Sequence, residues 1–246
     1  MTSYSAEACE NKIKEYKEFL KEGKLNSVEI IYADIPKVTD GYIYKRRKML
    51  REQPIELRCN GEFVMDLSVR EVEGTKEAIK RAHGKCGVLG LGLGFYVQEI
   101  AKKDDVTEVL VYEINSDIID LYNKNYPNNP KIKIIHGDGF KCESQKFDFF
   151  FVDIYSYKIE EVIAEDYAKL IELHEIEEYS FFGLEKFLLS CPMEELMMVY
   201  MPDEWMDMTK SCFDRVDRIG QVKNIKKIRR SEASKLLKAL KKILNS

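Results

Sequence analysis

The sequence of 246 residues lacks several features that would place it in a particular class of protein. No apolar run approaches the length of about 18–20 residues that a membrane-spanning helix needs. The first residues, MTSYSAEACENKIKEY, contain no apolar segment of a secretory signal, so we expect a cytoplasmic protein. Only three histidines are present, isolated from one another, which argues against a zinc site. We therefore predict neither a membrane span nor a bound metal.

Cysteine is also sparse and scattered. The six cysteines show no CxxC spacing and do not cluster with histidine. An even number would suit disulfides, but the spacing indicates no disulfide framework and no export signal accompanies it. We expect reduced, mostly structural thiols at Cys9, Cys59, Cys86, Cys142, Cys191 and Cys212.

What is present is the composition of an ordinary globular protein, with 45% hydrophobic and 33% charged residues. The length suits one large domain, or one domain with a small appendage. The net charge of −4 is unevenly distributed along the chain. Residues 221–246 carry nine Lys or Arg and one Glu, a local charge of +8, which leaves −12 on residues 1–220. This basic segment needs an explanation of its own.

The first 73 residues have the pattern of a helix followed by a small antiparallel β module. Apolar residues at helical spacing predict a helix over 6–22 that stops before Gly23. Asn60-Gly61 lies between two β-rich segments and predicts a tight hairpin. The predicted β-rich segments are 28–35, 41–50 and 54–68.

From residue 74 the pattern changes to strands that alternate with helices, which predicts βαβ units and a mostly parallel sheet with helices on both faces. The predicted strands are 85–89, 107–112, 131–136 and 147–152. A helix over 74–83 leads into the first strand, and helices over 95–103 and 116–125 lie between later strands. Farther along we predict helical structure over 159–190, a fifth strand over 195–201 and a helix over 203–218. This second unit, 74–220, is followed by a basic amphipathic helix over 231–245 within a third unit, 221–246.

A glycine loop, Gly90-Leu91-Gly92-Leu93-Gly94, directly follows the first strand of the predicted parallel sheet. Small residues let the backbone turn sharply and let a ligand approach the main chain closely. The motif alone is weak, because nicotinamide, flavin and S-adenosylmethionine sites all use it, and a tight turn without a ligand would look the same.

Acidic residues follow the next three strands of this sheet. Glu113 ends the second strand, where a carboxylate is placed to bind the hydroxyls of a ribose. Asp138 follows the third strand in HGDG, where it suits an adenine amino group, although Asp-Gly is also a common turn. Asp153 ends the fourth strand, FDFFFV. One acid at each of three strand ends indicates a ligand at that edge.

The loop departs from the dinucleotide fingerprint in one respect. Its glycines follow the spacing GxGxG rather than GxGxxG, and Phe95 stands where close helix packing needs a small residue. We therefore favour a nucleoside ligand without a pyrophosphate.

Residues 85–157 resemble the class I S-adenosylmethionine-dependent methyltransferase fold, and within it the spermidine synthase branch. The segments VYEINSDIIDLYNKNYP, IIHGDGFK and FDFFFVD carry the resemblance, together with the CNGEFV hairpin. It implies a Rossmann-like sheet with a small N-terminal β module, and S-adenosylmethionine as cofactor.

The resemblance also implies roles for particular residues. Gly90, Gly92 and Gly94 would pass close to the amino-acid part of the cofactor. Glu113 would hold the ribose, and Asp138 with Gly139 would hold the adenine. Asp153 would lie beside the sulfonium as a general base or substrate anchor.

Two departures from the spermidine synthase pattern bear on the reaction. Leu93 stands where aminopropyltransferases have an acidic residue in the glycine loop, and Ile154, Tyr155 and Ser156 follow Asp153 where they have a second aspartate. A polyamine needs carboxylates at its ammonium groups. The sequence Asp-Ile-Tyr is similar to small-molecule N-methyltransferases, in which an acid and an aromatic residue flank the acceptor nitrogen. Tyr155 or Tyr157 would stack on the acceptor or face the sulfonium, or simply pack.

Three functions follow as hypotheses. The first is S-adenosylmethionine-dependent methyl transfer to a small-molecule amine or hydroxyl, with Asp153 and Tyr155 at the reacting centre. The second is aminopropyl transfer from decarboxylated S-adenosylmethionine. The third is a non-catalytic protein that keeps the fold for nucleoside binding or assembly. A homodimer is compatible with each.

The basic C-terminal segment admits three interpretations. Lysines occupy one face of the predicted helix, and the other face carries the apolar residues Ala233, Leu236, Leu237, Leu240, Ile243 and Leu244. A docked helix with solvated lysines is the interpretation we favour. Binding to an anionic membrane is an alternative. Nucleic-acid binding is disfavoured because no aromatic side chains interleave with the basic residues.

Overall fold

The computed structural model describes residues 6–35, 41–43, 51–155 and 158–245. Its strands form two sheets, one of four strands and one of five. The fold is α/β, with a small antiparallel sheet near the N-terminus and a parallel sheet in the larger part of the chain. The predicted fold class is confirmed.

The N-terminal part consists of one helix and an antiparallel sheet in the order β1-β2-β3-β4. Its elements are α1 (Ala6–Tyr16), β1 (Gly23–Leu25), β2 (Val28–Tyr32), β3 (Ile55–Cys59) and β4 (Glu62–Leu67). The predicted hairpin is confirmed: Asn60 and Gly61 connect β3 to β4 with φ of 53° and 84°, the backbone that a tight two-residue turn requires. The predicted helix over 6–22 ends earlier, at Tyr16, and most of the β-rich segment predicted over 41–50 lies outside the described residues.

The larger part contains five parallel strands in the order β7-β6-β5-β8-β9. Its first elements are α2 (Val69–Gly74), α3 (Lys76–Arg81), β5 (Gly84–Leu89), α4 (Phe95–Ala101), β6 (Val106–Glu113), α5 (Ser116–Asn125), β7 (Ile132–His136) and β8 (Lys146–Val152). The remaining elements are α6 (Val162–Leu173), β9 (Glu175–Phe181), α7 (Leu184–Ser190), α8 (Met193–Leu196), α9 (Asp203–Arg218) and α10 (Arg230–Leu244), with a short 3₁₀ turn at Val222–Asn224. Counted along the sheet this is the order 3-2-1-4-5 of a doubly wound fold.

Both faces of the parallel sheet are covered. Phe149 and Phe151 of β8 pack into one apolar cluster with α1, α4 and α5. Phe150 and Val152 of the same strand pack into a second cluster with α6, α7 and α10. Burial on both faces is why these strands are continuously apolar in sequence rather than alternating.

The position of the fifth strand corrects the sequence prediction. Residues 159–190 are not helical throughout, because β9 lies within them and pairs with β8 from Glu175 to Phe181. The acidic run EIEEYSF has the composition of a solvated helix, but as an edge strand it carries its glutamates at the start and buries only its last residues. The strand predicted over 195–201 is wrong: this stretch contains α8 and an irregular segment, with Leu196 and Val199 buried three residues apart.

The C-terminal helices cover the outer side of β9. The indole Nε1 of Trp205 on α9 donates a hydrogen bond to the carbonyl oxygen of Tyr179 at 2.6 Å, which satisfies a backbone acceptor of β9. The predicted basic amphipathic helix is confirmed as α10, whose buried residues are Ala233, Leu236, Leu237 and Leu240. None of the described helices is long and apolar enough to span a membrane.

Candidate functional site

A cleft of about 440 Å³ opens at the edge of the parallel sheet where β5, β6 and β8 end. Because the strands are parallel, their carboxyl ends meet at this edge, which is where doubly wound sheets bind ligands. The glycine loop and the ends of β6 and β8 contribute residues to its lining. Further lining residues come from β4 and α2.

Neighbouring residues pack closely against the glycine loop. Gly90 has a φ of 97°, and a Cβ there would lie 2.6 Å from the carbonyl oxygen of Asp153. Gly92 has a φ of 50°, and a Cβ there would lie 2.3 Å from the Sδ of Met65. The backbone conformation favours glycine at both positions. A Cβ at position 90 would clash with backbone, whereas a Cβ at position 92 would have to displace the flexible Met65 side chain. Gly94 opens α4 and also lines the cleft.

Glu113 connects the glycine loop to the second strand. The residue ends β6, is 7% exposed and lines the cleft. Its Oε2 accepts a hydrogen bond from the Leu91 amide at 2.9 Å, and its Oε1 accepts one from the Asn115 amide at 2.8 Å. Each carboxylate oxygen keeps a second lone pair, so both remain able to accept hydroxyl hydrogen bonds.

Asp153, directly after β8, lines the same cleft as Glu113. Its backbone amide donates to the carbonyl oxygen of Leu89 at 2.9 Å, which fixes it beside the glycine loop. Burial raises the pKa of its carboxyl to about 7. A carboxyl with this pKa can exchange a proton near neutral pH.

Two buried tyrosines lie near Asp153 with unused hydroxyl groups. Tyr96, on α4, lines the cleft, and Tyr42 packs against Phe182 with ring centroids 5.3 Å apart. Burial is the main cause that raises the pKa of both tyrosines, and the charge of Asp153 adds to it. Neither hydroxyl has a hydrogen-bond partner in the described part of the chain.

Tyr155 lines the cleft next to Asp153, as its place in the sequence suggests. Its hydroxyl donates to Oδ2 of Asp166 on α6 at 3.3 Å, and its ring meets Phe181 edge-on at 6.3 Å. The ring is therefore held from behind by α6 and β9. Tyr157 lies outside the described residues.

Asp138 and Gly139 are not brought to this cleft. Oδ1 of Asp138 accepts a hydrogen bond from the Phe140 amide at 3.0 Å, and its Oδ2 pairs with Nζ of Lys141 at 2.9 Å. These two partners, Lys141 first, hold the pKa of Asp138 below its ordinary value. Gly139 packs against Leu89 and Tyr112. The adenine contact of this pair stays a prediction.

The structure adds residues that sequence reasoning missed. Glu71 of α2 is buried and lines the cleft, and Met65 of β4 accepts a hydrogen bond at its Sδ from the Leu93 amide at 3.3 Å. Neither residue belongs to a sequence motif. The one indication in the sequence is that the predicted hairpin directly precedes the parallel sheet. Leu93 itself is 2% exposed and packs into the core, so the loop presents no charged side chain to the cleft.

The described lining of the cleft is acidic. It includes three carboxylates, Glu71, Glu113 and Asp153, and no lysine, arginine or histidine. Within the ranges that the structure describes, no three acidic, histidine or cysteine residues lie together in a way that could hold a metal ion. An acidic lining favours a ligand with positive charge.

Comparison with known proteins gives fold likenesses only. No family model matches the chain. No curated protein matches it in sequence. Among solved structures, the 23S rRNA methyltransferase ErmE shares 21% identity over 44% of this chain and 44% of its own, with a TM-score of 0.32. Trm5b from Pyrococcus abyssi shares 18% over 71% of this chain and 49% of its own, with a TM-score of 0.39.

Spermidine synthase from Thermotoga maritima shares 12% identity over 77% of this chain and 63% of its own, with a TM-score of 0.41. The chain thus spans about half the length of the first two proteins and less than two thirds of the third. Identities this low describe the fold alone. The strand order and the cleft at the strand ends identify the chain as an α/β protein with a Rossmann-like, doubly wound parallel sheet.

Proposed function

We propose that the protein is an S-adenosylmethionine-dependent methyltransferase that acts on a small-molecule amine or hydroxyl. The observation that carries the proposal is that the glycine loop, Glu113 and Asp153 line one acidic cleft at the carboxyl edge of the sheet. The cleft volume of about 440 Å³ lies in the range of small-molecule sites.

The residues present suit this cofactor. When bound, S-adenosylmethionine supplies a methyl group activated by a positively charged sulfonium. The acidic lining complements that charge, and no basic side chain of the described lining opposes it. Gly90, Gly92 and Gly94 would lie along its amino-acid part, and Glu113 would accept from its ribose hydroxyls. Asp138 and Gly139 are the proposed adenine contacts, and these require the β7–β8 connection to approach the cleft.

Asp153 is the proposed general base. It would accept the proton that the acceptor nitrogen or oxygen releases as it forms its bond to carbon. A pKa of about 7 matches this task, because the carboxyl is then ionised in a substantial fraction of molecules and still basic enough to take the proton. Tyr155 would orient the acceptor by ring contact, since its hydroxyl is occupied by Asp166. The β3–β4 hairpin would cover part of the cleft and exclude water from it.

A second candidate is aminopropyl transfer from decarboxylated S-adenosylmethionine. The observation that favours it is Glu71, a buried carboxylate in the cleft that comes from α2 rather than from the glycine loop. Such a group could hold the ammonium group of the decarboxylated cofactor, a role that Leu93 cannot fill.

A transfer assay tests the proposal. The protein is incubated with methyl-labelled S-adenosylmethionine and a panel of small amines and alcohols, and products are followed by mass spectrometry. We expect the label in a small-molecule product, with a rate reduced at least about a hundredfold in Asp153→Asn. Label transfer that is equally fast in Asp153→Asn would remove the base assignment. A parallel incubation uses decarboxylated S-adenosylmethionine with the same acceptors. An aminopropyl product there, with no methylated product from S-adenosylmethionine, would establish the second candidate instead.

A further inference from the structure

A run of exposed apolar side chains lies outside the described lining of the cleft, on the segment that begins with α8. Met193, Met197, Met198 and Tyr200 are 64%, 78%, 64% and 82% exposed, and we refer to these four residues as the Met stripe. These four are among the five most exposed large apolar side chains in the described ranges. Exposed apolar side chains that occur singly need no explanation, but four within eight residues do.

The Met stripe is held in place along α10. Leu196 and Val199 of the same segment are buried in the cluster that contains the apolar face of α10. At the far end, the Asn245 side chain accepts from the Tyr200 amide at 3.0 Å and donates to the Met198 carbonyl oxygen at 3.3 Å. Leu196, Val199 and Asn245 therefore hold the backbone of this segment against α10, and the four side chains of the Met stripe are left exposed to solvent.

The outer face of α10 beside the stripe is cationic. Lys235, Lys238 and Lys242 are exposed, and none of the three has an ion-pair partner among the residues described. Near the start of the helix, Arg230 pairs with Glu195 at 3.6 Å, which leaves Glu194 as the exposed acid of the stripe segment. The stripe therefore borders the part of the chain that carries the local charge of +8.

We propose that the Met stripe and the outer face of α10 together dock on an anionic lipid surface. The apolar side chains would enter the boundary between headgroups and acyl chains, and the lysines would meet the headgroup phosphates and carboxylates. Methionine is suited to this because its flexible, polarisable side chain adapts to an irregular apolar environment. The inference does not depend on the proposed function.

Two other occupants fit the surface less well. RNA would match the lysines, but single-stranded binding uses several stacking rings and the stripe offers only Tyr200. A second copy paired about a two-fold axis would bring the same patch against itself and so oppose lysines to lysines. An anionic bilayer satisfies both the charge and the apolar surface.

Cosedimentation with vesicles tests the proposal on the full chain. Vesicles of phosphatidylcholine with about 30% phosphatidylserine are compared with phosphatidylcholine alone, at about 0.05 M and about 0.5 M salt. We expect binding only to the anionic vesicles and only at low salt. Lys235→Gln/Lys238→Gln/Lys242→Gln should weaken it about a hundredfold, and Met197→Gln/Met198→Gln at least about tenfold.

Matched control variants change exposed residues elsewhere. Lys14→Gln/Lys24→Gln/Lys124→Gln removes the same charge, and Ile114→Gln/Ile135→Gln removes exposed apolar side chains near β7. Both controls should bind like the original chain.

Three results would overturn the proposal. They are no binding of the intact chain to anionic vesicles at low salt, unchanged binding of the methionine variant, and a dimer in sedimentation that the methionine variant dissociates. Binding to an RNA oligonucleotide without binding to vesicles would count against it equally.

Discussion

Asp153 has a fixed backbone and a buried carboxyl, a combination that costs stability and that would suit the proposed role as a base. Its backbone is fixed between β5 and the glycine loop, and its carboxyl is placed where burial raises the pKa to about 7. An aspartate that served only the fold would gain from a partner of opposite charge, and the structure gives Asp153 no salt bridge within its described residues. A cationic ligand would supply that charge.

The pH dependence of the free energy of unfolding should show what it costs to bury the Asp153 carboxylate. Burial raises the Asp153 pKa from 3.8 to about 7, so between these pH values the folded protein keeps a proton that the unfolded chain releases. The free energy of unfolding therefore falls as pH rises through this window and levels off above it. Asp153→Asn should be more stable than the original chain at pH 8, by at most about 4 kcal/mol, and equal to it at pH 4.

Denaturant unfolding at both pH values measures the difference. Glu185, whose pKa burial raises to about 8, contributes a similar fall, so the two chains must be compared at each pH rather than one chain across pH. Equal stability of the two chains at pH 8 would show that Asp153 is not desolvated as described.

Glu113 calls for a conservative substitution. Glu113→Ala would disturb the fold as well as the site, because the carboxylate accepts the Leu91 and Asn115 amides and alanine would leave both donors without a partner. Glu113→Gln keeps the shape and one acceptor. We expect it to weaken nucleoside binding at least about tenfold while the unfolding midpoint moves little. Unchanged affinity in a folded variant would remove the ribose assignment.

The residues that the sequence could predict are those placed by the order of the strands. Gly90, Glu113 and Asp153 follow strands that the pattern locates, and parallel strands bring their ends to one edge. Glu71 and Met65 could not be predicted, because their places depend on how α2 and the antiparallel sheet pack against the parallel sheet. Asp138 follows its strand as predicted and pairs with Lys141, but it is not among the residues that line the cleft, so its adenine contact stays a prediction.

At the scale of elements, the β3–β4 hairpin is coupled to the glycine loop through one contact. The Sδ of Met65 fills the space beside Gly92 and accepts the Leu93 amide. Any ligand that reaches this part of the loop must share the space with that side chain. The hairpin is therefore part of the site, although it belongs to the other sheet.

A double-mutant cycle measures this coupling. Gly92→Ala should destabilise the fold by about 1–3 kcal/mol, from strain at a φ of 50° and from contact with Met65. Met65→Ala removes the contact but not the strain, so the double variant should lose less than the sum of the single losses, by about 0.5–2 kcal/mol. Additive losses in denaturant unfolding would mean that the hairpin and the loop are independent.

The elements themselves were predictable where the periodicity was long and regular. The helices 116–125 and 203–218 and the strands β5 to β8 match their predicted bounds within a few residues. The edge strand β9 was not predictable in this way. Its first half is exposed and rich in glutamate, a pattern that is also typical of a solvent-exposed helix. Its assignment requires the pairing with β8 and the contact with Trp205, neither of which a local pattern contains.

At the scale of the whole molecule, the charge is unevenly divided between two regions. The cleft lining is acidic in its described residues, and the C-terminal segment carries the local charge of +8. The apolar face of α10 docks beside α6 and α7, so the basic segment is part of the fold rather than a free tail. This arrangement keeps the cationic surface apart from a site that we propose binds a cation.

The central claim is that the cleft binds an adenosyl sulfonium, and calorimetry tests it most directly. The intact protein is titrated with S-adenosylmethionine, decarboxylated S-adenosylmethionine and methylthioadenosine, with Glu113→Gln as the matched variant. We predict that S-adenosylmethionine binds, more tightly than the uncharged methylthioadenosine, and that Glu113→Gln weakens both. Tight binding of the decarboxylated cofactor with weak binding of S-adenosylmethionine would contradict methyl transfer, and no heat with any of the three ligands would contradict the claim itself.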